Sequence, residues 1–191
     1  MKLAMISAIL LILIGGCSTV QDSPSGPTIK ITHTISGTQE LVLNEQDLQQ
    51  LGMSNGTNCR TEEGYSNIVD SSLGQYSICI YNINSLNDTQ VIIELQKFAN
   101  LGALNGSYQY NSVHLRSIEG LISQNDYGDQ SRFYLNNVND YGGQYNDPNV
   151  YYYTLYTCKN EYLIHITSKG RSKEALDYIA KIGRQILSKF G

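Results

Sequence analysis

The chain has 191 residues, with 13 Lys and Arg against 17 Asp and Glu, for a formal net charge of −4. That length suits one domain with a sizeable core, and the negative balance excludes general nucleic-acid binding, which needs a basic footprint. Tyr occurs 15 times and Trp not at all, while Gly and Asn are abundant, so the surface hydrogen-bonds well and charges little.

Lys2 precedes a mostly apolar run from Leu3 to Ile14, followed by Gly15, Gly16 and Cys17. One cation, an apolar stretch and small residues have the layout of a secretory signal. As a helix the run reaches roughly 18 Å at about 1.5 Å per residue, short of a hydrocarbon core of roughly 30 Å. It reads as a signal core rather than a membrane span. Ile14-Gly15-Gly16-Cys17 resembles the lipobox of prokaryotic lipoproteins. The resemblance implies a signal peptide over residues 1–16, cleavage before Cys17, and acylation of the Cys17 thiol with at least a diacylglyceryl group. Each buried methylene contributes about 0.8 kcal/mol, and two chains anchor stably. The expected location is therefore a cell membrane or outer membrane, facing outside the cytoplasm. Residues 17–28, with Pro24 and Pro27, bury little and make a tether. Residues 29–191 are expected to form a single domain.

Export places the remaining cysteines, Cys59, Cys79 and Cys158, in an oxidising setting. Three cannot all pair within one chain. Cys59 and Cys79 bracket a polar, turn-rich stretch, and closing it would stabilise by about 3 kcal/mol. That pairing is favoured and leaves Cys158 buried and free; Cys79 with Cys158 is the alternative.

Ile29, Ile31, His33 and Ile35 share one face of an expected strand, and a second short strand is expected over residues 40–43. Asn44 is placed to cap a helix over 45–51 that Gly52 ends. A strand is expected near 58–62. Over 76–82, Tyr76, Ile78 and Ile80 point one way, with Ser77, Cys79 and Tyr81 the other. After a turn at 84–88, Val91, Ile93 and Leu95 alternate with Glu94 and Gln96 in a half-buried strand over 90–98. These two strands make an antiparallel pair. Residues 107–117 read as a helix capped by Ser107. Short strands follow at 120–123 and 131–135, and 136–149 is a long loop. Strands over 150–157 and 161–167 are joined by a turn at Cys158-Lys159-Asn160. A last helix, capped by Ser172, carries Leu176, Ile179, Ile182, Gly183, Ile186, Leu187 and Phe190 on one stripe. Its acidic start (Glu174, Asp177) and basic end (Lys181, Arg184, Lys189) suit the helix dipole. The class is α+β: an antiparallel sheet packed against helices, with an amphipathic helix last.

Tyr127-Gly128-Asp129-Gln130-Ser131-Arg132-Phe133-Tyr134 is similar to the glycine-aspartate-strand step of PsbP/Mog1-like domains, and residues 157–166 look like their late hairpin. The resemblance spans roughly residues 76–190. It implies a layered sandwich with a central antiparallel sheet, and binding or assembly work without catalysis. It carries no functional residues across.

Asn125, Asp126 and Asp129, with Asn139-Asp140 and Asn146-Asp147, gather oxygen ligands of the kind calcium takes. The twelve-residue loop pattern is missing and the same residues make ordinary turns, so no metal and no cofactor is expected. Tyr141, Tyr145, Tyr151, Tyr152 and Tyr153 offer rings with hydroxyl ends, suited to a sugar or protein partner or simply to packing on a sheet. His33, His114 and His165 are far apart, and His165 lies in an apolar strand, where a satisfied histidine is the plainer reading than a base. No Gly-x-Ser-x-Gly, His-Glu-x-x-His or phosphate-cradling glycine loop occurs, so no catalytic residue is assigned. Residues 169–191 hold six basic groups and two acidic ones, a face that could rest on anionic lipid or simply meet solvent. The expectation is a lipid-anchored, non-catalytic binding domain whose loop region 136–153, with Tyr141, Tyr145, Tyr151 and Tyr153, meets an envelope protein or glycan. The alternative is an exported hydrolase using His165 or His114.

Overall fold

The structure is a computed structural model that describes residues 34–63, 73–116, 118–135 and 149–191. The expected strand over 29–35 falls mostly outside them, and residues 34–36 are not strand. Where a strand was expected over 40–43, the chain forms a single 3-10 turn, Thr38–Leu41. The alternation of buried Leu41 and Leu43 is real, but Thr38 is tied sideways to Gln75 and Ser77 and no strand pairs with this segment.

Helix α1 (Glu45–Leu51) begins at Asn44, whose side chain accepts from Asp47 N while Asp47 accepts from Asn44 N. This reciprocal cap satisfies two otherwise orphaned donors. Gly52 ends the helix in the left-handed region, φ 65°. Strands β1 (Met53–Glu63), β2 (Leu73–Ile83) and β3 (Gln90–Phe98) form a meander. Helix α2 (Leu101–Gln109) runs on into a π-helical turn, Tyr110–His114. Its cap is Asn100, which accepts from Ala103 N, so the helix starts well before the Ser107 that the sequence pattern favoured. Then come β4 (Leu121–Gln124), β5 (Gln130–Leu135), β6 (Tyr151–Lys159), β7 (Tyr162–Gly170) and α3 (Ala175–Ser188). Ser172 accepts from Glu174 N just ahead of α3.

These strands form one antiparallel sheet in the order β1-β2-β3-β7-β6-β5-β4. Side chains alternate across it. The inner face carries Cys79, Tyr81, Val91, Ile93, Leu95, Phe133, Leu155, Ile164 and Ile166, buried with Leu48 of α1 and Ile179, Ile182 and Ile186 of α3. On the outer face, Phe98, Tyr134, Tyr156, Cys158 and Leu163 pack with Leu104 and Tyr108 of α2. The two helices of the inner layer are locked together where Lys189 pairs with Asp47 at 2.7 Å and Gln185 donates to the same carboxylate. Burial pushes Asp47 up, but these bonds outweigh it and hold the carboxyl below its ordinary value.

Cys59 and Cys79 are joined, with Cα atoms 4.3 Å apart. A bulge brings this about: Thr57 faces Ile80 and Arg60 faces Ile78, so two β1 residues oppose Cys79 alone. Cys158 is free and buried at the end of β6, and burial pushes its thiol up to about 12.

Candidate functional site

Among the described residues, α2 and the turn that follows it cover only part of the outer face. The strand registers set one transverse row across it: Arg60, Ile78, Glu94, His165, Tyr156, Arg132 and Gln124 stand opposite one another in turn. The neighbouring row holds Ile80, Ile92, Thr167, Thr154 and Tyr134. Ile78, Ile80, Ile92, Glu94, His165 and Thr167 remain partly open to solvent. The result is an apolar strip beside a connected polar group.

Within that group, His165 Nδ1 bonds Glu94 Oε2, and Tyr76 OH donates to Glu94 Oε1 at 2.8 Å. His165 Nε2 meets Thr167 Oγ1 at 2.9 Å. The ring's protonation sets the direction of that bond: with Nδ1–H directed at the carboxylate, a neutral ring accepts the threonine hydroxyl at Nε2, and a protonated ring donates to it. The Tyr156 ring stacks on the imidazole at 4.2 Å between centroids and 6° between planes. Burial raises the Glu94 carboxyl, but the bond and charge of His165 and the Tyr76 hydroxyl together hold it below its ordinary value.

Beside it, Arg116 Nη2 donates to Tyr156 OH at 3.1 Å, with the guanidinium 5.7 Å from that ring's centroid. Arg132 Nη1 donates to Tyr134 OH at 3.1 Å, and Tyr134 OH donates to Ser112 O in the π-helical turn at 2.6 Å. Burial raises the Tyr156 hydroxyl, and the Arg116 charge opposes that rise without overcoming it. The Nε of Arg116 is buried and has no acceptor.

The residues singled out from sequence are not brought together here. Tyr141 and Tyr145 lie outside the described residues. Tyr153 is 3% exposed and belongs to the inner core, so it cannot meet a partner. Tyr151 stacks on it at 6.2 Å and lies under the Lys173 ammonium. Alternation explains the difference: odd-numbered positions of β6 face inward. His114 is exposed and stacks on Tyr110 rather than meeting a carboxylate. Among the described residues no cluster of His, Cys, Asp and Glu could hold a metal ion. Asp129 instead bonds Lys159 and Asn160 N, and Asn125 accepts from Ser131 N, which is turn chemistry. Sequence reasoning missed the roles of Glu94, Tyr76, Tyr156, Thr167, Arg116 and Arg132. Period-two alternation placed Glu94 and Tyr76 on a face, but only register shows what stands opposite.

The fold and face define an α+β sheet domain with one helical layer complete and the other partial. No protein-family profile matches the sequence, and no curated protein matches it. In architecture the chain is similar to the extracellular domain of PknH from Mycobacterium tuberculosis, seen in a crystal structure. The TM-score is 0.53 and the identity 11%, over 83% of this chain and 98% of that one. At this identity the likeness speaks for the fold. Among the described residues no helix is long and apolar enough to cross a membrane.

Proposed function

We propose that this is an extracytoplasmic lipoprotein, anchored through acylated Cys17, whose folded domain binds an envelope protein or glycan on the open part of its outer sheet face and does no catalysis. The observation that carries the reading is the partly covered face itself, where an apolar strip of Ile78, Ile80 and Ile92 borders an ordered polar group. Apolar area edged by fixed hydrogen-bonding groups is what recognition surfaces offer. The signal layout and an architecture like that of an extracellular domain support the location.

Two measurements test it. Mass spectrometry of the mature amino terminus should find cleavage before Cys17 and a diacylglyceryl adduct; an intact leader with a bare thiol rejects the anchor. Immobilised protein should capture envelope glycan or protein, and joint Ile80→Lys and Ile92→Glu replacement, which sets opposite charges across the β2–β3 pair, should abolish capture while the far-ultraviolet circular dichroism and cooperative unfolding stay native. Equal capture by that variant rejects the face.

A second reading has one specific observation behind it. Thr167, His165 and Glu94 form a hydroxyl–imidazole–carboxylate chain, the order of groups that activates a nucleophile. Against it, Thr167 sits mid-strand between Ile92 and Thr154, where the ladders on both sides consume the backbone donors an oxyanion would need. Ester hydrolysis that Thr167→Val abolishes would establish this reading over the first.

A further inference from the structure

We propose that Arg116 and Arg132 together recognise a carboxylate or phosphate group on the ligand of the outer face, an inference that rests on the binding reading above and names the ligand's chemistry. In this net-negative chain several cations have a carboxylate: Lys97 has Glu161, Lys159 has Asp129, Lys189 has Asp47 and Arg60 has Glu62. Among the described residues Arg116 and Arg132 have none. Both are half-buried, so part of their hydration is given up with only phenol oxygens in return. A partly desolvated cation without a counter-charge is costly, and an anion arriving beside it recovers that cost.

Geometry sharpens the point. The two guanidiniums do not wander, because each donates to the hydroxyl of a buried tyrosine. Arg132 stands directly opposite Tyr156 in the β5–β6 register, and Tyr156 is the ring that Arg116 overlies. Arg116 thus sits on Tyr156, while Arg132 starts opposite it on the neighbouring strand and reaches Tyr134 in the adjoining row. Arg116 keeps a further N–H, at buried Nε, with no acceptor. A guanidinium offers planar pairs of donors that match the oxygens of a carboxylate or phosphate. Glu94, the carboxylate in the same transverse row, is already held by His165 and Tyr76 and does not answer either arginine.

The test uses the full mature protein in detergent, labelled with nitrogen-15, and two probes: inorganic phosphate and glucuronate, each against chloride at equal ionic strength. The Nε–H resonances of Arg116 and Arg132 and the backbone amides of Tyr134 and Tyr156 should shift saturably, and in Arg116→Lys or Arg132→Lys the affinity read from the remaining arginine and these amides should weaken by about tenfold or more. Saturation by one probe and not the other supports the site and names the oxyanion. Unmoved arginine resonances in the unaltered protein overturn the proposal, with no variant required to fold. So does an undiminished saturable shift of the Tyr134 and Tyr156 backbone amides, which border the two arginines, in the doubly substituted chain. Equal capture by the Ile80 and Ile92 variant rejects the binding reading, whereas unmoved arginine resonances reject the oxyanion site, so the two failures are separable.

Discussion

Glu94 is pulled in two directions. Its side chain is 27% exposed, and that burial penalises its charge, yet His165 and Tyr76 more than compensate and its pKa falls below the ordinary 4.5. A carboxyl lowered in the folded state binds protons less readily there than in the unfolded chain. Its ionisation therefore adds stability in full above about 4.5, and that stability is lost as pH falls through the lowered folded value. Asp47 and Asp129 are lowered as well and act with the same sign. We expect Glu94→Gln to cost about 2 kcal/mol at neutral pH, as for a hydrogen bond to a charged group. The gap from the unaltered protein should close in acid, once both chains carry a neutral side chain there. Thermal unfolding across the acid range checks this, and a constant gap would be inconsistent with it. The residue's outward position was legible from the alternation of Val91, Ile93 and Leu95. Its partner was not, because which strand lies beside β3 is decided by a crossover through α2, β4, β5 and β6. Tyr153 shows the converse. A run of three tyrosines advertises hydroxyl-bearing rings, but alternation sends the middle one, Tyr152, to the same outer face as Lys169 and Tyr156, and its neighbour Tyr153 into the core.

Local chemistry decides which elements could be read in advance. Helix α1 was legible because Asn44, Asp47 and Gly52 all signal its ends within one short stretch. The β2–β3 pair was legible because residues 76–83 and 90–95 alternate without a break. Helix α2 was misplaced because Leu101-Gly102-Ala103-Leu104-Asn105-Gly106 has two glycines and little apolar contrast, so its first turns look like loop. It exists because Leu104 and Tyr108 bury against Phe98 and Tyr156. Tertiary packing overrides propensity here. The space around Gly106 is open: a Cβ there would meet nothing within 4 Å, and its φ needs no glycine. Gly106→Ala should therefore stabilise by about 0.5–1 kcal/mol, chiefly by narrowing the unfolded ensemble, and raise the midpoint by about 2–3 °C for a domain of this size. Calorimetry would detect that shift, and a lowered midpoint would mean the helix is held in a way this packing does not describe.

At the scale of the molecule, the two faces of the sheet are unequal. The inner face is sealed by α1 and α3, whose contact is fixed by Asp47, Gln185 and Lys189, and Ile164, Ile166, Ile179, Ile182 and Ile186 are completely inaccessible there. The outer face has a smaller cluster under a glycine-bearing helix and a π-helical turn. The likeness to an extracellular domain concerns this whole layered plan and not its surface chemistry. Local stability follows buried apolar contact, so elements with less of it open without the rest. The amides of α2 and of Tyr110–His114 should then exchange hydrogen through a local opening. Its free energy should lie at least about 2 kcal/mol below that of β6, β7 and α3, and it should change little with added denaturant. The inner elements should exchange only by global unfolding, with a steep denaturant dependence. Native-state exchange read by mass spectrometry separates the two. If α2 and α3 report one common free energy with one common slope, the faces are a single cooperative unit. If they separate, an oxyanion bridging Arg116 and Arg132 should slow α2 selectively, because the Tyr134 hydroxyl that accepts from Arg132 donates to Ser112, in the turn that continues α2.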